Sequence, residues 1–312
     1  MTQDQPETEE TELNKPVKAS PKFDNPQFSA WLMIGVLSGL IILCYLNTLI
    51  GTAVAWDTPM YSHGYLIPLI AAGLLYYRRE QLQPSTNAER WWGVGIILFA
   101  TIARVSAAYL VQFSIDRLSF IACLIGVFVM VGGFRTLRWA GPAIAFLIFM
   151  FPLPRVLVDN ILRPMQTMAT ISSVYALQTF GVDVYREGNR IILEHTPMNV
   201  VDQCSGLRML TIFIAIAVAI VMISNQRPPW ERILILISSV PIALLVNCIR
   251  ITITGLLYNL EIGAEEVDVI FHDFAGIIMM PLALGFLLIE MQVLSRLFIE
   301  DTSSRQMNVG IG

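Results

Sequence analysis

Charge is scarce in this chain. Asp, Glu, Lys and Arg make up 14% of its 312 residues, against ~25% in an average soluble domain. Its 20 Lys and Arg form no basic patch or stripe, so nucleic acid is not an expected partner. Cysteine is sparse as well: four residues, at 44, 123, 204 and 248, with no CxxC spacing. Neither a disulfide framework nor a metal clip follows from that pattern, and no metal or cofactor is implied. The opening segment lacks the short basic and apolar layout of a cleavable signal peptide. Met1 to Pro26 is instead polar and acidic, rich in Glu, Thr and Pro, a composition expected to stay disordered.

What the chain has in abundance is apolar length. Apolar residues make up 55% and mean hydropathy is +0.63. Several runs reach the ~20 residues that a helix needs to cross a ~30 Å hydrocarbon core. A spanning segment must satisfy its own backbone, so these runs predict helices, and no alternating outer-membrane barrel pattern is present. The expected class is all-α, a polytopic integral membrane bundle embedded in the lipid bilayer. Spans are expected at about 31–50, 63–77, 91–111, 118–134, 139–153, 206–223, 233–257 and 271–296, eight in all. The stretch 164–180 is interrupted by Gln, Thr and Ser and predicts a re-entrant or interfacial helix. Alternation around Val182–Gln203 predicts a short extracytoplasmic β-hairpin turning at Glu187-Gly188-Asn189. The expected organisation is a tail at 1–29, a single membrane domain at 30–298 and a short tail at 299–312.

Basic residues orient such a bundle, because Lys and Arg favour the cytoplasmic side. With the N-terminus inside and 164–180 returning to the outer side, twelve basic residues fall inside and five outside, while Arg104, Arg208 and Arg250 lie within spans. Cys204 then stands at the outer entrance of the sixth span and His272 at that of the eighth. Arg250 lies seven residues before the outer end of the seventh, roughly 10 Å deep at ~1.5 Å per residue. A cysteine, an arginine and a histidine from three helices thus approach one membrane face.

Cys204 differs from the other cysteines by its setting. Cys44, Cys123 and Cys248 sit in apolar runs and read as packing residues, whereas Cys204 marks a polar–apolar boundary in Asp202-Gln203-Cys204-Ser205-Gly206-Leu207-Arg208. A helix N-terminus favours a thiolate, and Arg208, one turn deeper on the same face, would favour it further. Arg250 is a charge inside a span, which defaults to a cavity, a partner or a function. Its alternative role is an interhelical hydrogen-bond pair that locks the bundle; Asn247, three residues before it, shares its face. A histidine suits proton transfer near neutral pH, and both His272 and His63 lie near the outer face. His195, beside Glu194, reads as solvated.

Taken together these residues resemble the exosortase/archaeosortase family. The likeness rests on Cys204 to Arg208 with Ser205, then Asn247 and Arg250, then His272 and Gly276. It extends to Trp56-Asp57, Tyr61-Ser62-His63-Gly64-Tyr65-Leu66-Ile67-Pro68, Phe151-Pro152-Leu153-Pro154 and Glu187-Gly188-Asn189. Asp202-Gln203 departs from the Glu-Ala expected before the cysteine. The resemblance implies a membrane cysteine transpeptidase or protease of the inner membrane, associated with exopolysaccharide-producing Gram-negative bacteria. Its site would face the periplasm, with Cys204 as nucleophile, Arg250 as electrostatic stabiliser and His272 as acid/base. Arg208, Asn247, Ser205 and His63 would support the site or position substrate. The partners so implied are exported proteins bearing a C-terminal sorting signal: a motif, a transmembrane helix and a basic tail. The residues alone also admit a membrane acyltransferase using the same cysteine, and a non-enzymatic transporter or scaffold of an exopolysaccharide system.

Overall fold

Helix begins where the charged tail gives way to apolar sequence. In the computed structural model, which describes residues 26–58, 60–193, 197–199, 206–224, 227–259 and 275–297, α1 runs Pro26–Cys44. Proline suits the first helical position, where its missing N–H costs nothing. At Tyr45 (φ −97°, ψ 14°) the helix breaks, and α2 continues as Leu46–Trp56. The carbonyl of Cys44 at this break accepts Arg104 Nη2 at 2.6 Å. A 3-10 turn, Ser62–Tyr65, leads into α3, Ile67–Arg78.

A capping box opens α4, Asn87–Leu110: Thr86 accepts from the Glu89 N–H while the Glu89 carboxylate takes the Thr86 N–H. The long α5, Phe113–Phe146, is two arms meeting at Gly133 (φ 69°, ψ −176°), a backbone region essentially reserved for glycine. Glu89 Oε1 also accepts the Phe134 N–H at 3.1 Å, so one carboxylate serves the start of α4 and the start of the second arm. A side chain at Gly133 would strike that carboxylate, with its Cβ 2.7 Å from Oε1. The expected spans 118–134 and 139–153 are therefore the arms of one folded element with no loop between them. The first arm lies so close to α4 that a Cβ on Gly93 would fall 2.5 Å from the Met130 nitrogen.

After the 3-10 turn Leu147–Met150 and short helical turns come α6, Arg163–Thr179, and a three-stranded antiparallel sheet, β1 Val184–Glu187, β2 Arg190–Leu193 and β3 Pro197–Asn199. Glu187 pairs with Arg190 around Gly188 at φ +63°, which is the hairpin read from the sequence. The remaining helices are α7 Gly206–Ile223, α8 Pro229–Asn259 and α9 Ala275–Leu297.

Contacts between distant residues fix the direction of each helix. At one end Gln27 and Leu82 exchange two hydrogen bonds, and Ser85 donates to the Met130 carbonyl. Arg78 donates to Met222 O and Arg227 to Met291 O at this same end. At the opposite end Trp56 Nε1 donates to Met150 O at 2.7 Å, and Arg117 Nη1 to Pro152 O at 3.1 Å. It follows that α7 starts, α8 finishes and α9 starts at the Trp56 end. Arg78, Arg79, Arg90, Arg135, Arg227 and Arg232 belong to the other end.

Among the described residues four helical stretches are long and apolar enough to cross a membrane: Pro26–Cys44, Asn87–Leu110, Phe113–Met150 and Pro229–Asn259. Large apolar side chains crowd the surface, with Trp91 75% and Phe99 71% exposed. Lipid is the solvent that such a surface requires. The chain is a multi-pass helical membrane protein.

Candidate functional site

Three of the sequence motifs meet at the Trp56 end. The Trp56 indole spans to the Met150 carbonyl and meets the Tyr65 ring edge-on at 5.0 Å. Gly64 is obligatory beneath it, since any Cβ there would overlap the indole. Tyr65 donates to Asp57 Oδ1 at 2.6 Å, and Arg117 holds the Pro152 carbonyl. Burial raises the Tyr61 phenol above its ordinary value, opposed by a backbone hydrogen bond at Leu153 and by Arg117. The Trp-Asp, Tyr-Ser-His-Gly-Tyr and Phe-Pro-Leu-Pro segments are thus one clamp built by α2, the Ser62–Tyr65 turn and the segment that follows α5.

The clamp presents His63, only 8% exposed, to a cavity of about 350 Å³ between α3 and α7. Ser62, Leu66 and Ile70 line one wall, and Ile212, Ile216 and Ile223 the other. From Ile212 to Ile223 the α7 wall runs ~16 Å at ~1.5 Å per residue.

On the other flank of α7 lies α8, which carries Arg250. That guanidinium is a fully buried charge, 2% exposed, and Asn247, one turn earlier, is 5% exposed. Because α8 continues to Asn259, Arg250 lies nine residues from the helix end, ~13 Å at ~1.5 Å per residue. Burying a charge at such depth is costly without compensation, so a site or a partner must hold it there. Leu210 of α7 and Asn247 of α8 line a second, smaller cavity. His63 and Asn247 therefore open onto different cavities, separated by α7.

Sequence reasoning missed the third wall of that second site. Helix α6 packs along α8, with Leu177 against Gly255 and Ser173 Oγ 3.3 Å from the Cys248 carbonyl. Its Gln166, Thr170 and Ser173 are 6%, 0% and 0% exposed. Their i, i+4, i+7 spacing, visible in the sequence, is that of one helix face. These are the polar residues that gave 164–180 its interfacial character, and they face protein. Cys204, Ser205 and His272 lie outside the described residues, as does the side chain of Arg208, whose backbone belongs to the first turn of α7. Among the described residues no group of His, Cys, Asp and Glu could hold a metal ion.

This is a helical membrane bundle with Arg250 and Asn247 buried on α8 and an aromatic clamp at the same end. The chain belongs to the transmembrane exosortase family, whose model matches residues 56–289, three quarters of its length. No curated protein and no solved structure matches it.

Proposed function

We propose that this protein is a cysteine peptidase or transpeptidase of the inner membrane, cleaving a C-terminal sorting signal of exported proteins at the periplasmic face. The observation that carries the reading is the family match across the span holding Cys204, Arg250 and His272. The burial of Arg250 supports it, because a buried cation in a bundle needs a reason. In this reading the chain crosses the membrane eight times, with α6 re-entrant and the Trp56 end outside. The basic end then lies inside, as the charge bias requires.

The mechanism assigns each group one step. The Cys204 thiolate attacks the scissile carbonyl carbon, as in other cysteine acyl transfers. Arg250 and neighbouring donors hold the resulting oxyanion, in a setting where fixed donors act strongly. Collapse breaks the C–N bond, and the amine leaves with a proton from His272. Water or an amine acceptor then displaces Cys204 from the acyl-enzyme. A second reading, acyl transfer to or from lipid by the same cysteine, draws support from the apolar cavity beside His63.

Co-expression with an exported reporter carrying a motif, an apolar helix and a basic tail tests both. Wild-type protein should shorten the reporter by its C-terminal segment, read as intact mass, and Cys204→Ala should leave it full length. A mass gain matching a fatty acyl group would favour the second reading. Processing by Cys204→Ala would overturn both.

A further inference from the structure

We propose that Gln166 and Asn247 hold one water molecule between them, and that Gln166 is thereby a positioning residue that sets the orientation of the Asn247 carboxamide. The inference rests on the site reading above and deepens it.

The cavity between α6, α7 and α8 measures about 20 Å³. A single water needs room of at least ~10–15 Å³. Its walls are apolar, from Leu162, Met165, Leu210 and Ala243, apart from two carboxamides, Gln166 and Asn247. Asn247 Oδ1 is buried and has no hydrogen-bond partner among the described residues. A buried carbonyl oxygen left so is unfavourable, and ordered water is the usual remedy in a polar niche of this size. Nearby hydroxyls do not supply the bond: Thr170 donates to the Gln166 carbonyl at 2.9 Å and Ser173 to the Ala169 carbonyl at 2.8 Å. A water in the niche donates to Asn247 Oδ1 and accepts from the Gln166 amide.

The consequence is directional. A carboxamide whose oxygen is fixed toward the cavity turns its Nδ2 hydrogens away from it. Asn247 precedes Arg250 by three residues, hence shares its side of α8. A fixed Nδ2 there is a second donor beside the guanidinium for one substrate carbonyl or its oxyanion. Without Gln166 the amide can rotate and present its oxygen, which repels an oxyanion.

The test is a cycle of variants on the reporter assay, with turnover counted per folded molecule. Gln166→Met keeps the bulk and removes the polar end. It should lower kcat about tenfold with KM unchanged, a loss within the ~10²-fold range for misplaced groups. Gln166→His, which keeps one donor and one acceptor, should recover most of it. In an Asn247→Ala background Gln166→Met should cost nothing further, since no amide remains to orient. An equal loss in both backgrounds, or wild-type kcat for Gln166→Met, would overturn the proposal. If Cys204→Ala still processes the reporter, the functional reading itself has failed. The water bridge then stands or falls on melting in detergent: Gln166→Met/Asn247→Leu should melt no lower than the weaker single variant, and additive losses refute the bridge.

Discussion

Replacing Arg250 by lysine separates catalysis from architecture. The side chain is 2% exposed on α8, inside the membrane span, so its charge is held where water cannot screen it. A guanidinium offers a planar fork that gives two hydrogen bonds to one oxygen centre or carboxylate, and an ammonium cannot match that geometry. Arg250→Lys keeps the charge, shortens the reach and loses the fork. If the fork holds the oxyanion, turnover should fall ~10²–10³-fold, the loss that follows removal of one such donor. Protein abundance and melting temperature should change little, because a cation still meets the same surroundings. If Arg250 only ties helices together, the order reverses: melting falls and turnover per folded molecule persists. Both quantities are measured on one detergent preparation with the sorting-signal reporter. Near-wild-type turnover with lowered melting would refute the catalytic assignment.

Two further outcomes are expected. Single cysteines at Asn189 and Glu265 should react with a membrane-impermeant maleimide in whole cells, and one at Asn225 should not; the reverse pattern would invert the second half of the chain. Gly133→Ala should lower stability by about 1–3 kcal/mol, the cost of a backbone region that L-residues avoid, and unchanged melting would show that the corner at φ 69° relaxes freely.

The helical membrane class was legible because it depends on composition and run length, which neighbours do not alter. The β-hairpin was legible for a local reason too: Glu187-Gly188-Asn189 supplies the left-handed glycine its turn needs. Features set by distant partners were not legible. Nothing in the sequence around Tyr45 announces a break, since no proline or glycine marks it. What accompanies the break is Arg104, reaching back sixty residues to the Cys44 carbonyl. The corner at Gly133 has a visible glycine, yet its sharpness depends on Glu89, forty-five residues earlier, receiving the Phe134 N–H. In the candidate site Arg250 stood out as a lone charge in an apolar run. Gln166 did not, because a glutamine in a mixed helix reads as surface until the helix it packs against is known.

Hydrogen-bond accounting separates two polar layers among the described residues, one half-buried and one buried. Around the Tyr45 break, Arg104 pairs with Asp116 at 3.5 Å and lies 3.9 Å over the Tyr45 ring. Thr48 donates to Asp116 at 2.6 Å, and Tyr45 and Ser119 share a hydrogen bond of 2.7 Å. Each group named there has a partner, and a satisfied network of this kind rigidifies a fold. The layer between α6 and α8 is different. Its hydroxyls are turned back on their own helices, while the Asn247 oxygen is left to a small cavity. Ordered water is the usual partner of a buried carbonyl left this way. The first layer therefore explains how α1, α2, α4 and α5 hold together, and the second lines the small cavity between α6, α7 and α8. The buried Arg250 lies one turn beyond Asn247 on α8, within the residues that the family model matches.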